Sequence, residues 1–316
     1  MSFPPADTSA PVVKPRILLS SGEMFAARGI NVRWLAPDGI TQQGGLWAAN
    51  ASTAEPLTRT FPGINMVRLA AFSNVADIGY ATVTDMKPYI DTIIGQGIVV
   101  VLHCNTSAGT LVEPDLTTVT NWYAEFAVSY AASPMVWFAS QSNPTLGYIA
   151  NDAMLIAIYN AVRGSGNNAL FLISSDIMTS SDTSGYSVET LAGLHNCAWD
   201  HHFYNSASNY RTDQDVNNAA LVDAMNALWN MANIPIIVGE FGDASDGQNV
   251  DPGWQQVLQT VYDNPGFGSG YIQAWWNTPD DSAAFAGNQL LADPFDGTQL
   301  TQAGEMFRNA LTAEST

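Results

Sequence analysis

Basic side chains are scarce in this chain: 10 Lys and Arg stand against 29 Asp and Glu, a formal net charge of −19 over 316 residues. The acids are scattered rather than gathered in one tail, and such a surface repels nucleic acid and anionic membrane. A neutral substrate is compatible with it, although solubility alone accounts for a charge of this kind. Cysteine is scarcer still. The only two, Cys104 and Cys197, lie in separate predicted strand regions far apart in sequence, which excludes a disulfide framework and favours two buried free thiols. No Cys/His spacing resembles a zinc site, and the adjacent His201 and His202 point to opposite faces of a strand. Neither a metal nor a cofactor is expected. Long apolar runs are also missing: Ile98–Leu102 is of strand length, far below the roughly 20 residues that a membrane-spanning helix needs. Glycine-rich phosphate turns of the G-x-G-x-x-G or Walker type follow no predicted strand, and Gly164 and Gly166 read as an ordinary turn pair, which argues against a doubly wound sheet. Met1–Pro15 has neither the basic nor the apolar part of a signal peptide. A chain made without classical export and a chain whose leader has been removed both stay open, so its location is not fixed.

What is present is a large apolar fraction, 47% hydrophobic against 12% charged residues, which suits one large domain with a substantial core. Short apolar runs alternate with helical patterns from about residue 29 onward, the pattern of parallel β/α units. The predicted strands are Gly29–Leu35, Asn65–Ala70, Gly97–His103, Met135–Ala139, Ala169–Ser174, Cys197–Phe203, Ile234–Gly239 and Gly270–Ala274. Helices are predicted over Met86–Gln96, Thr118–Ala131, Ala150–Gly164, Asn217–Ala232 and Pro252–Asn264. Together they predict a single (β/α)₈ TIM barrel over residues 17–316, preceded by an N-terminal arm over residues 1–16.

The most telling run is Ile234-Pro-Ile-Ile-Val-Gly-Glu-Phe-Gly242, a doubly buried strand that ends on a carboxylate bracketed by two glycines. A bare acid at the edge of a core costs free energy unless a polar group meets it, so Glu240 is either hydrogen-bonded for structure or held ready for chemistry. In a barrel of this kind the C-terminal strand ends converge on one mouth. There the sequence places Arg68, His103, His202, Tyr204, Glu240, Trp275 and Trp276. Taken singly, each has a structural explanation: Arg68 as a buried ion-pair partner, His103 as a satisfied core histidine, the tryptophans as core filling. Gathered at one rim, they point to a site.

Five motifs carry a resemblance over nearly the whole chain: Gly63-Ile-Asn-Met-Val-Arg-Leu69, Gly97-Ile-Val-Val-Val-Leu-His103, Asp200-His-His-Phe-Tyr204, Pro235-Ile-Ile-Val-Gly-Glu-Phe-Gly242 and Gly270-Tyr-Ile-Gln-Ala-Trp-Trp-Asn277. With the run Trp122–Phe138, they make the chain similar to glycoside hydrolase family 5, the clan A group of retaining cellulases and mannanases. The resemblance implies that Glu240 is the nucleophile and that Arg68 holds it ionised and oriented. It implies a hydrogen bond from Tyr204 to the same carboxylate, His103 and His202 on sugar hydroxyls, and Trp275 or Trp276 as the stacking floor for a pyranose.

One departure stands out. Where the family has Asn-Glu-Pro after the fourth strand, this chain reads Gln141-Ser-Asn-Pro144, with Ser142 for the Asn and Asn143 for the acid/base Glu. An amide cannot donate a proton and recover it, and that assistance is typically worth about 10²–10⁴ in rate. The resemblance therefore implies a glycoside hydrolase or transglycosylase of the β-glucan or β-mannan class with an atypical proton donor. Asp176 is nominated first, although a loop acid or helix cap explains it as well, and His202 second. A carboxyl separation of about 5–5.5 Å would fit retention and about 6.5–9.5 Å inversion. The other readings are a catalytically silent carbohydrate-binding barrel, a structural barrel that binds no saccharide, and an introduced change at Asn143, against which the paired change at Ser142 speaks.

Overall fold

The computed structural model describes residues 15–35, 54, 57–72, 81–105, 115–140, 148–175, 185–205, 214–243, 270–273, 291–293 and 296–313. Strands β1 (Ala27–Leu35), β2 (Met66–Phe72), β3 (Val99–Asn105), β4 (Val136–Ala139), β5 (Phe171–Ser174), β6 (Cys197–Asn205), β7 (Ile236–Asp243) and β8 (Gly270–Gln273) pair in chain order and close into a barrel. Neighbouring strands run parallel, and β8 returns to β1. Each predicted strand is present, displaced at its ends by a few residues. Around them lie α1 (Leu57–Thr60), α2 (Val83–Gly95), α3 (Asp115–Ser129), α4 (Tyr148–Gly164), α5 (Val188–Ala192) and α6 (Gln214–Met231). The helix predicted over Pro252–Asn264 lies outside the described residues, as do residues 1–14 of the predicted arm.

Side-chain alternation sorts the apolar residues into two layers. On β3, Val99 and Val101 join Met66, Trp137, Leu172, Ala198 and Ile237 in a small cluster inside the barrel. Val100, Leu102 and Cys104 join a larger cluster between the strands and their helices. A hairpin over residues 17–25 closes the inner cluster from the N-terminal end of the barrel: Phe25 N–H donates to the Ile17 carbonyl at 2.9 Å, and Phe25 packs edge-on against Trp137 at 5.1 Å. The inner layer is therefore apolar at that end, and the polar groups collect at the other.

Local signals fix the connections. Helix α2 opens on a capping box, in which the Thr82 hydroxyl accepts from Asp85 N–H and the Asp85 carboxylate accepts from Thr82 N–H. It ends where Gly97, at φ 79°, turns the chain into β3. The Tyr123 hydroxyl of α3 donates to the Ala139 carbonyl at 2.6 Å and accepts from Cys104 N–H at 3.0 Å, which ties together the C-terminal ends of β3 and β4. Past the barrel, β9 (Leu291–Asp293) and β10 (Asp296–Leu300) pair antiparallel, and α7 (Gln302–Ala313) buries Phe307 and Leu311 against the outer cluster. Cys104 and Cys197 are buried free thiols, and burial pushes Cys197 up to about 12, partly opposed by Arg163. Among the described residues, no helix is long and apolar enough to cross a membrane.

Candidate active site

The pairing of β6 with β7 builds the site. Trp199, Asp200 and His201 stand opposite Ile236, Ile237 and Val238 in unbroken register, but the next partner of His202 is Glu240. Gly239 is thus an extra residue, a bulge. Ile237 faces the barrel interior, so strict alternation would turn Glu240 outward, and the bulge turns it inward beside His202. The sequence suggested a carboxylate at the strand's end; instead β7 runs on to Asp243, and a break in its register aims the acid. Glycine is required at the break, because a Cβ on Gly239 would lie 1.4 Å from Asp200 Oδ1.

Four side chains then form a closed ring. Arg68 Nη1 donates to Glu240 Oε1 at 2.5 Å, and Arg68 Nη2 meets Asp200 Oδ2 at 3.1 Å. His202 lies between the two carboxylates, with Nε2 3.5 Å from Asp200 Oδ1 and Nδ1 3.5 Å from Glu240 Oε2, contacts longer than a well-formed hydrogen bond. Two further groups brace it. Asn31 accepts from Arg68 Nη1 at 3.2 Å and donates to the Gly239 carbonyl at 3.0 Å, while the Ser174 hydroxyl donates to Asp200 Oδ2 at 3.1 Å. The side chains of Arg68, Asp200 and His202 are at most 1% exposed, whereas that of Glu240 is 11% exposed. Glu240 is the member of the ring that solvent, and hence a ligand, reaches.

The electrostatics follow from burial beside one guanidinium. Burial alone would raise Asp200, but Arg68 and then His202 outweigh it and hold the carboxyl below the usual range. Burial, reinforced by Arg68, pushes His103 well below the ordinary imidazole value. His201 lies on the other face of β6, its Nδ1 3.1 Å from Ser175 Oγ, and burial followed by His202 lowers it to about 3. Asp200 therefore persists as an anion, and His103 and His201 are neutral.

Of the residues singled out in the sequence, Arg68, His202 and Glu240 are in direct contact, with His103 close enough to feel Arg68, Asp200 and His202. Tyr204 pairs with Gly242 through the β6–β7 register. Ser142, Asn143, Asp176, Trp275 and Trp276 lie outside the described residues. Asp200, Ser174 and Asn31 were given no role from sequence. Counting back two positions from His202 along a strand would have placed Asp200 on the same face.

Comparison with known proteins extends these observations. An endo-β-1,4-glucanase from Xanthomonas axonopodis pv. citri superposes with a TM-score of 0.67 at 14% identity, covering 91% of this chain and 99% of that one. The catalytic domain of Thermobifida fusca endoglucanase Cel5A gives 0.62 at 15% identity, covering 95% and 97%. A cellulose synthase subunit from Clostridioides difficile gives 0.61 at 13%, covering 90% and 99%. No curated protein matches the chain in sequence. At these identities the superpositions show the fold. Residues 20–278 match the model of the cellulase family, and the chain belongs to that family, glycosyl hydrolase family 5.

Proposed function

We propose that this protein cleaves or transfers β-linked glucan or mannan chains, with Glu240 as nucleophile. The observation that carries the reading is the inward turn of Glu240 at the Gly239 bulge, onto Arg68 and at the solvent-reached edge of the ring. Glu240 would attack the anomeric carbon, a C–O bond forming to its carboxylate as the glycosidic C–O bond breaks, and water would then release the sugar with retention. Arg68 fixes the carboxylate through a charge-assisted hydrogen bond. His103 and Tyr204 would bind sugar hydroxyls and the nucleophile, and Trp275 or Trp276 would stack on the pyranose. Related structures were solved with cellopentaose and cellotetraose bound, which favours a β-1,4-glucan.

Asn143 takes the place of the general acid, so the leaving oxygen receives its proton from another group, with Asp176 the first nominee. The ring's own second acid is not that group. Asp200 is fully buried and held ionised, so it has neither access nor a proton to give. Asn143 also supports a second reading, a barrel that binds β-glycan without cleaving it. Activity on β-glucans, β-mannans and dinitrophenyl β-glycosides, compared between the native protein and Glu240→Gln, separates them. An activated aryl group leaves without acid help. Turnover of a glycan that Glu240→Gln abolishes establishes the hydrolase with an atypical donor. Turnover of the aryl glycosides alone establishes the nucleophile without a donor. Saccharide binding with no turnover of either substrate establishes the binding barrel.

A further inference from the structure

We propose that Asp200 is a positioning residue that keeps Arg68 and His202 in place while Glu240 carries no charge. The inference rests on the reading of Glu240 as nucleophile. The ring is symmetric: Asp200 and Glu240 are two carboxylates bridged by the same two side chains, Arg68 through Nη2 and Nη1, and His202 through Nε2 and Nδ1. Attack converts Glu240 to an ester, which has lost its negative charge. Were Glu240 the sole anion beside it, Arg68, 1% exposed, would then be a buried cation without a counterion, a costly state that favours retreat of its side chain. Asp200 prevents this. It is fully buried, and its contacts with Arg68 Nη2 and the Ser174 hydroxyl use no atom of Glu240.

The backbone is shaped to the same end. Gly239 leaves space for the Asp200 carboxylate, and the same glycine is the bulge that aims Glu240. Asn31 links the two by holding the Gly239 carbonyl with one end and Arg68 with the other. An aspartate serving only to neutralise a buried arginine would need no such register with the reacting carboxylate.

The experiment uses the full chain and a 2,4-dinitrophenyl β-glycoside, whose 2-deoxy-2-fluoro analogue traps the glycosyl-enzyme for detection by intact mass. Asp200→Asn keeps the shape and removes the charge. The expected result is a cooperatively melting protein from which the trapped sugar is released about 10- to 100-fold more slowly, through misplacement of the groups around the ester, with the trapping rate and saccharide affinity, both set while Glu240 is charged, within about threefold. A folded Asp200→Asn that releases the trapped sugar at the native rate overturns the proposal, as does one whose loss lies wholly in the trapping rate. Should Asp200→Asn fail to fold, a crystal structure of the native protein trapped as the glycosyl-enzyme decides. Arg68 still against Asp200 in that state supports the proposal, and an Arg68 side chain withdrawn from Asp200 overturns it. Native protein that neither turns over the aryl glycoside nor is trapped overturns the nucleophile reading, and this proposal falls with it.

Discussion

Gly239 is the smallest residue at the site and the one with least freedom to change. A methyl group there would be driven into the Asp200 carboxylate, whose Oδ1 and Cγ lie 1.4 and 2.6 Å from the Cβ position. Asp200 cannot withdraw freely, because Arg68 and Ser174 hold its other oxygen. Gly239→Ala is therefore expected to destabilise the protein by about 1–3 kcal/mol, the usual cost of overpacking, and to lower aryl-glycoside turnover. Urea melts beside initial rates check this, and a variant as stable and active as the native chain would show that the ring tolerates displacement. Sequence alone read Gly239 as a bracket around Glu240. Its true function is an unpaired position in a ladder, which depends on the register of a partner strand and is invisible in one strand's residues. Asp200 escaped for a related reason: the motif was legible, but the Arg68 that makes an acid tolerable there comes from a strand more than a hundred residues earlier.

At the level of elements, the strands and four of the helices were legible because each carries a repeating apolar pattern of the right length. The C-terminal helix α7 was not. Its stripe of Phe307 and Leu311, buried, with Met306 and Ala310 half-buried, keeps helical spacing, but it is short, set in an otherwise polar segment, and lies beyond the eight strands that the barrel pattern accounts for. The start signal was nonetheless present, since the Thr301 hydroxyl accepts from Gly304 N–H at 3.0 Å as an N-cap. Phe307 meets Phe61 edge-on at 5.7 Å and is fully buried. It thereby fastens the helix to the segment after α1. Phe307→Ala should cost about 3–5 kcal/mol, visible as a lower thermal midpoint. Because α7 lies on the outer layer, the aryl-glycoside rate of the folded fraction should stay native. A change in that rate would mean that the outer layer feeds the site.

For the whole molecule, acidification sets two terms against each other. Lowering the pH from 7 to 5 reduces the self-repulsion of a chain with net charge −19, which favours the compact state. The buried histidines act oppositely. Burial, then His202, lowers His201 to about 3 against the pull of Asp200, and burial, then Arg68, lowers His103. In the unfolded chain both take up protons below about pH 6.5. Their contribution is thus complete above that value and declines as the pH falls toward the folded values, by up to about 1.4 kcal/mol per pH unit for each histidine. Asp200, held below the usual range, adds a loss of the same sign once the pH drops below about 4. Surface charges are screened over roughly 8 Å at physiological ionic strength and buried ones far less, so the histidines should win. Urea melts in about 0.15 M salt should show lower stability at pH 5 than at pH 7, with a smaller drop in His201→Asn. A rise in stability toward pH 5 would mean that surface repulsion dominates and that the two imidazoles are not held neutral.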